Sequence, residues 1–153
     1  MAVKVAINGL GRIGRCVARI IASREDVELV AVNASGSEEM IQYNLKYDTV
    51  HGPKHDVKVK DGYLYIGKDK AKILSERDPA KLDFASYGVD VILECTGAFL
   101  TQESCQAYID NGVKKVVMSD LLKMILLLLY LVQMKIHMQV KQLYQMHLVQ
   151  LMD

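Results

Sequence analysis

The sequence predicts an α/β fold built on a doubly wound, mainly parallel sheet, and three observations carry that expectation. Short apolar runs rich in β-branched residues recur between Val3 and Ser119. Helical patterns lie between several of them, the alternation expected of parallel strands joined by crossover helices. A glycine cluster stands where the first such run meets the first helical pattern.

Val3 to Asn8 (VKVAIN) reads as a buried strand. Gly9-Leu10-Gly11-Arg12-Ile13-Gly14 follows at once and opens a helix whose apolar face is expected to hold Ile13, Val17, Ile20 and Ile21. Val27 to Val32 (VELVAV) is the second strand and completes a β-α-β unit. Val57 to Lys60 and Tyr63 to Ile66 form a hairpin on an Asp61-Gly62 turn, joined by a strand around Ala71 to Leu74. Val89 to Glu94 (VDVILE) is another buried strand. Thr101 to Asn111 reads as a helix with Thr101 as N-cap and Gly112 as its stop. Lys115 to Ser119 is a last strand.

The glycine spacing GxGxxG is weak alone and strong between a strand and a helix. Gly9 permits the tight turn. Gly11 removes a Cβ where backbone N–H groups approach a pyrophosphate. Gly14 lets the helix pack closely on the strand. The helix N-terminus then faces the anion with unpaired donors and a positive dipole end. A glycine turn without a ligand is the competing reading. The Rossmann-like pattern also calls for an acidic residue at the tip of the second strand, to hold a ribose 2′-hydroxyl. Asn33-Ala34-Ser35-Gly36-Ser37 stands there instead. Without that carboxylate nothing repels a 2′-phosphate, and Ser35 or Ser37 can donate to one. NADP, or dual use of NAD and NADP, is favoured over NAD alone.

MAVKVAINGLGRIGR, KYDTVHG (46–52), SERDP (75–79), ECTGAF (94–99) and KKVVMS (114–119) together resemble the NAD(P)-binding half of the phosphorylating glyceraldehyde-3-phosphate dehydrogenases. The relative acting on erythrose 4-phosphate shares this half. The resemblance implies a cytoplasmic oxidoreductase of glycolysis and gluconeogenesis. In that reaction a cysteine attacks an aldehyde, a hydride passes to nicotinamide, and phosphate releases the acyl group. It also implies a homotetramer for members with both halves, while assembly of this chain stays open. By position it assigns Gly9, Gly11, Arg12 and Ile13 to the pyrophosphate and Arg77 to the adenine. Thr96, Gly97 and Phe99 would line the crevice, and Ser119 would approach the nicotinamide. Asn33 matches the end of strand two, whereas Ala34 replaces the usual Asp. Asn-Ala-Ser is similar to the branch that prefers NADP.

The catalytic cysteine of that family lies in a Ser-Cys-Thr-Thr-Asn motif, which these 153 residues lack. Cys16 is expected to be a small buried residue, Cys95 stands beside the crevice, and Cys105 lies in the later helix. His51, His55, His137 and His147 have no base-like setting, and Asp78, Asp90 and Glu94 have no catalytic pairing. No catalytic residue and no metal site is assigned. Three cysteines at no ligand spacing argue against a disulfide framework or zinc. A formal net charge of +1 gives no footprint for nucleic acid or an anionic membrane. The N-terminus lacks the order of a signal peptide.

Composition divides the chain into a dinucleotide-binding domain, 1–119, and a tail, 120–153. All 10 glycines and both prolines lie at or before Gly112. The tail is rich in Leu, Met and Gln, and its apolar stretch from Met124 to Val132 is too short to span a bilayer. An interaction helix is one reading of the tail. Out-of-frame translation is the favoured one. Reading the third base of each tail codon with the first two of the next forces Asp at Met124–Ile125, Glu at Met134–Lys135, and Ala at Met138–Gln139 and Met146–His147. Synonymous choices elsewhere permit a string ending in SNASCTTN, similar to the family's catalytic segment. At Met152–Asp153 the forced residue is Gly, where the family has a second Cys. The expectation is therefore a truncated sheet with no catalytic domain: a stand-alone dinucleotide-binding fragment or, with the tail as a real helix, a structural fragment.

Overall fold

The structure is a computed structural model that describes residues 2–47, 56–99 and 101–119. The tail and all four histidines lie outside the described residues.

The β-branched runs form the strands of one seven-stranded sheet: β1 (Val3–Asn8), β2 (Val27–Asn33), β3 (Val57–Lys60), β4 (Tyr63–Ile66), β5 (Asp69–Leu74), β6 (Val91–Glu94) and β7 (Lys115–Met118). Their spatial order is β3-β4-β5-β2-β1-β6-β7. Strands β5, β2, β1, β6 and β7 run parallel, and β3 and β4 are antiparallel additions. Strand β1 thus has β2 on one side and β6 on the other. The sheet reverses its winding there, and a crevice opens at the carboxyl ends of the two halves.

Both faces of the sheet are covered, which is why its central strands read as continuous apolar runs. Val5 and Ile7 point into one core cluster with Leu29, Val32, Leu45, Leu64 and Ile66. Ala6 and Ala31 point into the other, with Phe84, Ile92, Tyr108 and Val113. The change of side at every residue is the period of two expected along a strand.

Helix α1 (Arg12–Ala22) buries Ile21 and packs Val17 against the core as the sequence predicts, but not Ile13 and Ile20. Gly14, Ala18, Ile21 and Ala22 are buried, whereas Ile13 and Ile20 are 43% and 59% exposed. Gly14 is the reason. A Cβ there would overlap the Gly9 carbonyl oxygen and meet Ile7 Cγ2 at 3.3 Å. The helix approaches the strand through Gly14 and Ala18, keeps Ile21 in the core, and leaves Ile13 and Ile20 exposed. Cys16 is half-buried rather than buried. Arg19 is buried, and its guanidinium donates to the Leu45 carbonyl oxygen at 2.5 Å.

Helix α2 (Glu38–Lys46) is absent from the sequence-based expectation. Its signals are local: Ser37 caps it by accepting from the Met40 N–H, Glu38 and Glu39 lie in the first turn, and Lys46 in the last. The hairpin turns on Asp61 and Gly62, both at positive φ (54° and 74°), the requirement of a type I′ turn. Strand β6 starts two residues later than predicted. Helix α3 (Gln102–Asp110) has the expected Thr101 N-cap in a capping box with Ser104, and Gly112 at φ 93° ends it.

Candidate functional site

A crevice of about 470 Å³ lies at the carboxyl ends of β1, β2 and β6. Its floor begins at the β1–α1 turn. Gly9 has φ 95°, and a Cβ on it would come within 2.8 Å of Thr96 Cγ2 and 2.9 Å of Thr96 N. Gly11 differs. Its backbone is extended (φ −71°, ψ −163°), and a Cβ there would meet no atom within 4 Å. Nothing in the fold demands glycine at position 11. The open space beside it, at the N-terminus of α1, is what a bound group would fill. Helix N-termini of this kind favour anions through free N–H groups and the helix dipole. The residues therefore fit a pyrophosphate.

A buried polar network forms under the crevice. Asn8 and Glu94 are each 1% exposed. Asn8 Nδ2 donates to Glu94 Oε2 at 2.6 Å and to the Tyr108 hydroxyl at 2.7 Å. The Tyr108 hydroxyl donates to Glu94 Oε2 at 2.9 Å. Glu94 Oε1 accepts from the Thr96 N–H at 2.8 Å and the Thr96 hydroxyl at 2.5 Å. Asn33 Nδ2 donates to Asn8 Oδ1 at 2.7 Å and to the Glu76 carbonyl oxygen at 2.7 Å, while Asn33 Oδ1 accepts from the Glu76 N–H at 2.9 Å. Among the described residues no buried side-chain nitrogen or oxygen lacks a partner. The tips of β1, β2 and β6 are thereby tied together and to α3. Burial, then the charge of Glu94, pushes the Tyr108 phenol far above its ordinary value, so it stays a donor.

Of the residues singled out in the sequence, Gly9, Gly11, Asn33, Ala34, Ser35, Arg77, Thr96 and Phe99 line the crevice. Arg12, Ile13, Gly14, Gly97 and Ser119 do not. Arg12 and Ile13 are exposed on the first turn of α1, and Gly14 is a packing position beneath it. Gly97, at φ 73°, shapes the loop after β6. Ser119 donates from both N–H and hydroxyl to the Glu94 carbonyl oxygen, each at 2.9 Å. Asn8, Arg15, Met40 and Asn44 line the crevice without having been singled out. Asn8 had a signal, as a polar residue ending a buried strand. Met40 and Asn44 depend on α2.

Cys95 borders the crevice and is buried. Burial pushes its thiol above the ordinary value, and the neighbouring Glu94 charge adds to this against a hydrogen bond with Ser119. A thiol held protonated is a poor nucleophile. Cys105 is buried, with its Sγ 3.6 Å from the Phe99 carbonyl oxygen. Among the described residues no group of three or more His, Cys, Asp or Glu is placed to hold a metal. No described helix is long and apolar enough to cross a membrane.

Residues 3–102 match the family model of the glyceraldehyde 3-phosphate dehydrogenase NAD binding domain. The chain is 48% identical over 121 residues to glyceraldehyde-3-phosphate dehydrogenase A of Escherichia coli K12 and to the glyceraldehyde-3-phosphate dehydrogenase of Salmonella typhimurium. It is 48% identical over 120 residues to the Shimwellia blattae enzyme. Each match covers 78% of this chain and 36% of the relative. The chain spans about a third of the length of the relatives it matches.

Proposed function

The chain belongs to the glyceraldehyde-3-phosphate dehydrogenase NAD-binding family, and we propose that these residues bind a nicotinamide dinucleotide and do not themselves turn over an aldehyde. Gly11 is the observation that carries the binding. Its Cβ position is vacant, its backbone is unstrained, and it stands at a helix N-terminus over the crevice. Gly9, Gly11, Arg12 and Ile13 hold the pyrophosphate on this reading, with Gly14 setting the distance between helix and strand. Thr96 and Phe99 form the wall on this reading, with Gly97 shaping the loop between them. Ser119, the position the family resemblance gives to the nicotinamide, lies outside the crevice lining and spends both donors on the Glu94 carbonyl oxygen.

Cofactor choice is set at the tip of β2. Ala34 and Ser35 line the crevice where the sequence pattern calls for a carboxylate. Asn33 fixes Glu76 by two hydrogen bonds, which brings exposed Arg77 to the same end. The Glu76 carboxylate also lines this end, where it accepts the Arg77 and Asp78 N–H groups. With no carboxylate at position 34, the Arg77 cation favours a 2′-phosphate. NADP, or both cofactors, is the expected ligand.

The absence of the Ser-Cys-Thr-Thr-Asn motif and the raised Cys95 thiol support a binding role without catalysis. We also propose that the domain ends near Ser119 and that residues 120–153 are read out of frame. Calorimetric titration of the purified chain with NAD and NADP tests the binding, and no heat with either overturns it. Aldehyde-dependent NAD(P)H formation by the same protein would overturn the non-catalytic reading. Resequencing the codons for Met118 to Leu122 tests the frame. An intact single frame, with no base gained or lost relative to close relatives, would sink that part.

A further inference from the structure

We propose that Glu94 is a positioning residue of the crevice, setting the wall against which the dinucleotide lies; this rests on the dinucleotide reading above. A buried carboxylate is costly unless it is fully hydrogen-bonded, and a well-packed apolar side chain would often hold a fold as well or better. Glu94 stands at the end of β6, where the sheet reverses, and divides its two oxygens between interior and site. Oε2 takes the Asn8 amide and the Tyr108 hydroxyl, both buried. Oε1 takes the Thr96 N–H and hydroxyl, on the crevice side. All four contacts are donated to the carboxylate.

Thr96 passes the constraint on. Its Oγ1 accepts from the Ala98 N–H at 3.1 Å, and Gly97 between them takes the left-handed conformation that closes the turn. A chain of bonds therefore runs from Tyr108 on α3, through Glu94 and Thr96, to Ala98 in the crevice wall. The backbone of Thr96 is also what a Cβ on Gly9 would strike. Moving Thr96 moves the wall relative to the glycine turn. The opposite end, at Ala34 and Arg77, is anchored by Asn33 on the Glu76 backbone. It meets Glu94 two bonds away, through the Asn33–Asn8 and Asn8–Glu94 hydrogen bonds, with no direct link to Thr96.

That separation supplies the test. Glu94→Gln keeps the shape but turns an amide N–H₂ toward either the Thr96 N–H or the Asn8 amide, a donor facing a donor. In the full 153-residue chain, E94Q and T96V are each expected to weaken NAD binding about tenfold while AMP affinity changes less than about twofold. T96S, which restores the hydroxyl, is expected to bind NAD as the parent does. The double variant E94Q/T96V is expected to be little weaker than either single change, because both break one link. E94Q binding NAD like the parent would overturn the proposal, as would NAD and AMP affinities falling together or fully additive losses. Should E94Q not fold, T96V and T96S carry the test with Glu94 intact, and T96V binding NAD like the parent overturns it. A parent chain that binds neither NAD nor NADP fails the dinucleotide reading itself, which distinguishes that failure from this one.

Discussion

Gly9 and Thr96 face each other across the tips of β1 and β6, with so little room that a Cβ on Gly9 would lie 2.8 Å from Thr96 Cγ2. The Gly9 N–H donates to the Asn33 carbonyl oxygen at 2.8 Å, and the Cys95 N–H to the Asn8 carbonyl oxygen at 2.8 Å. The turn that starts α1 is thus held by both neighbouring strands.

Gly9→Ala is expected to destabilise the chain by at least about 2 kcal/mol, since it adds a clash with backbone to a positive φ. Gly14→Ala is expected to be as damaging, because its Cβ would overlap the Gly9 carbonyl oxygen and drive α1 off β1. Urea unfolding of both variants checks this. Parent-like midpoints would contradict the packing described.

Strands, hairpin and the capped helix α3 were legible because each has a local signature: β-branched runs, Asp-Gly, Thr101 and Gly112. The burial face of α1 was legible only in part. Hydrophobic periodicity favours Ile13 and Ile20; the glycine spacing marks Gly14 as the close-packing position, but the clearance to Gly9 that leaves those two isoleucines exposed is set by the fold. Helix α2 was hidden by low contrast, since only Ile41 and Leu45 of its nine residues are buried. In the site, the glycines and the β2 tip were legible from spacing. The Asn8–Glu94–Tyr108 network was not, because its members are 86 and 100 residues apart from Asn8 and meet only through the sheet order.

Tyr108→Phe should lower stability at neutral pH by about 1–2 kcal/mol through the lost hydrogen bonds of the buried hydroxyl. The phenol is raised in the folded chain above its ordinary 10.0. The stabilisation linked to that shift is therefore complete below 10.0 and is lost as pH rises toward the folded value. The parent should lose stability on the alkaline side more steeply than Y108F. Denaturant melts across the alkaline range check the sign, and equal slopes would refute it.

Asp90 contributes to the acid limb, as do Asp26, Glu76 and Asp83, whose carboxyls are also held below their ordinary values by hydrogen bonds. The Asp90 carboxylate accepts from Lys114 Nζ at 2.6 Å and from the Lys4 N–H at 3.2 Å, and the Lys114 bond holds it below its ordinary 3.8. A depressed carboxyl contributes stability above its unfolded value and loses it as pH falls through the folded one. The advantage of the parent over D90N should be modest at neutral pH, since the pair is at the surface. It should vanish in acid below the ordinary carboxyl range, which acid melts of the two proteins will show.

Ala34→Asp places a carboxylate at the tip of β2. NADP affinity should fall at least about tenfold through repulsion of the 2′-phosphate, with NAD affinity held or improved. Arg77→Ala should weaken NADP more than NAD. Paired titrations give both ratios. Unchanged selectivity in both variants would remove this end of the crevice from cofactor choice.

Gly11→Ala separates ligand demand from fold demand. An alanine at position 11 meets no protein atom within 4 Å and keeps an ordinary φ of −71°. Alanine loses less entropy on folding than glycine but is a poorer N-cap, so the two effects oppose. Stability should remain within about 1 kcal/mol of the parent, in contrast to Gly9→Ala. The added methyl occupies the space over the helix N-terminus, where a pyrophosphate would approach the backbone N–H groups. Dinucleotide affinity should therefore drop by at least about tenfold, the effect of losing one charge-assisted hydrogen bond. Parent-like stability with lost binding assigns the glycine to the ligand. Parent-like stability with parent-like binding would show that the vacancy serves no bound group, and the dinucleotide would have to be sought away from the N-terminus of α1.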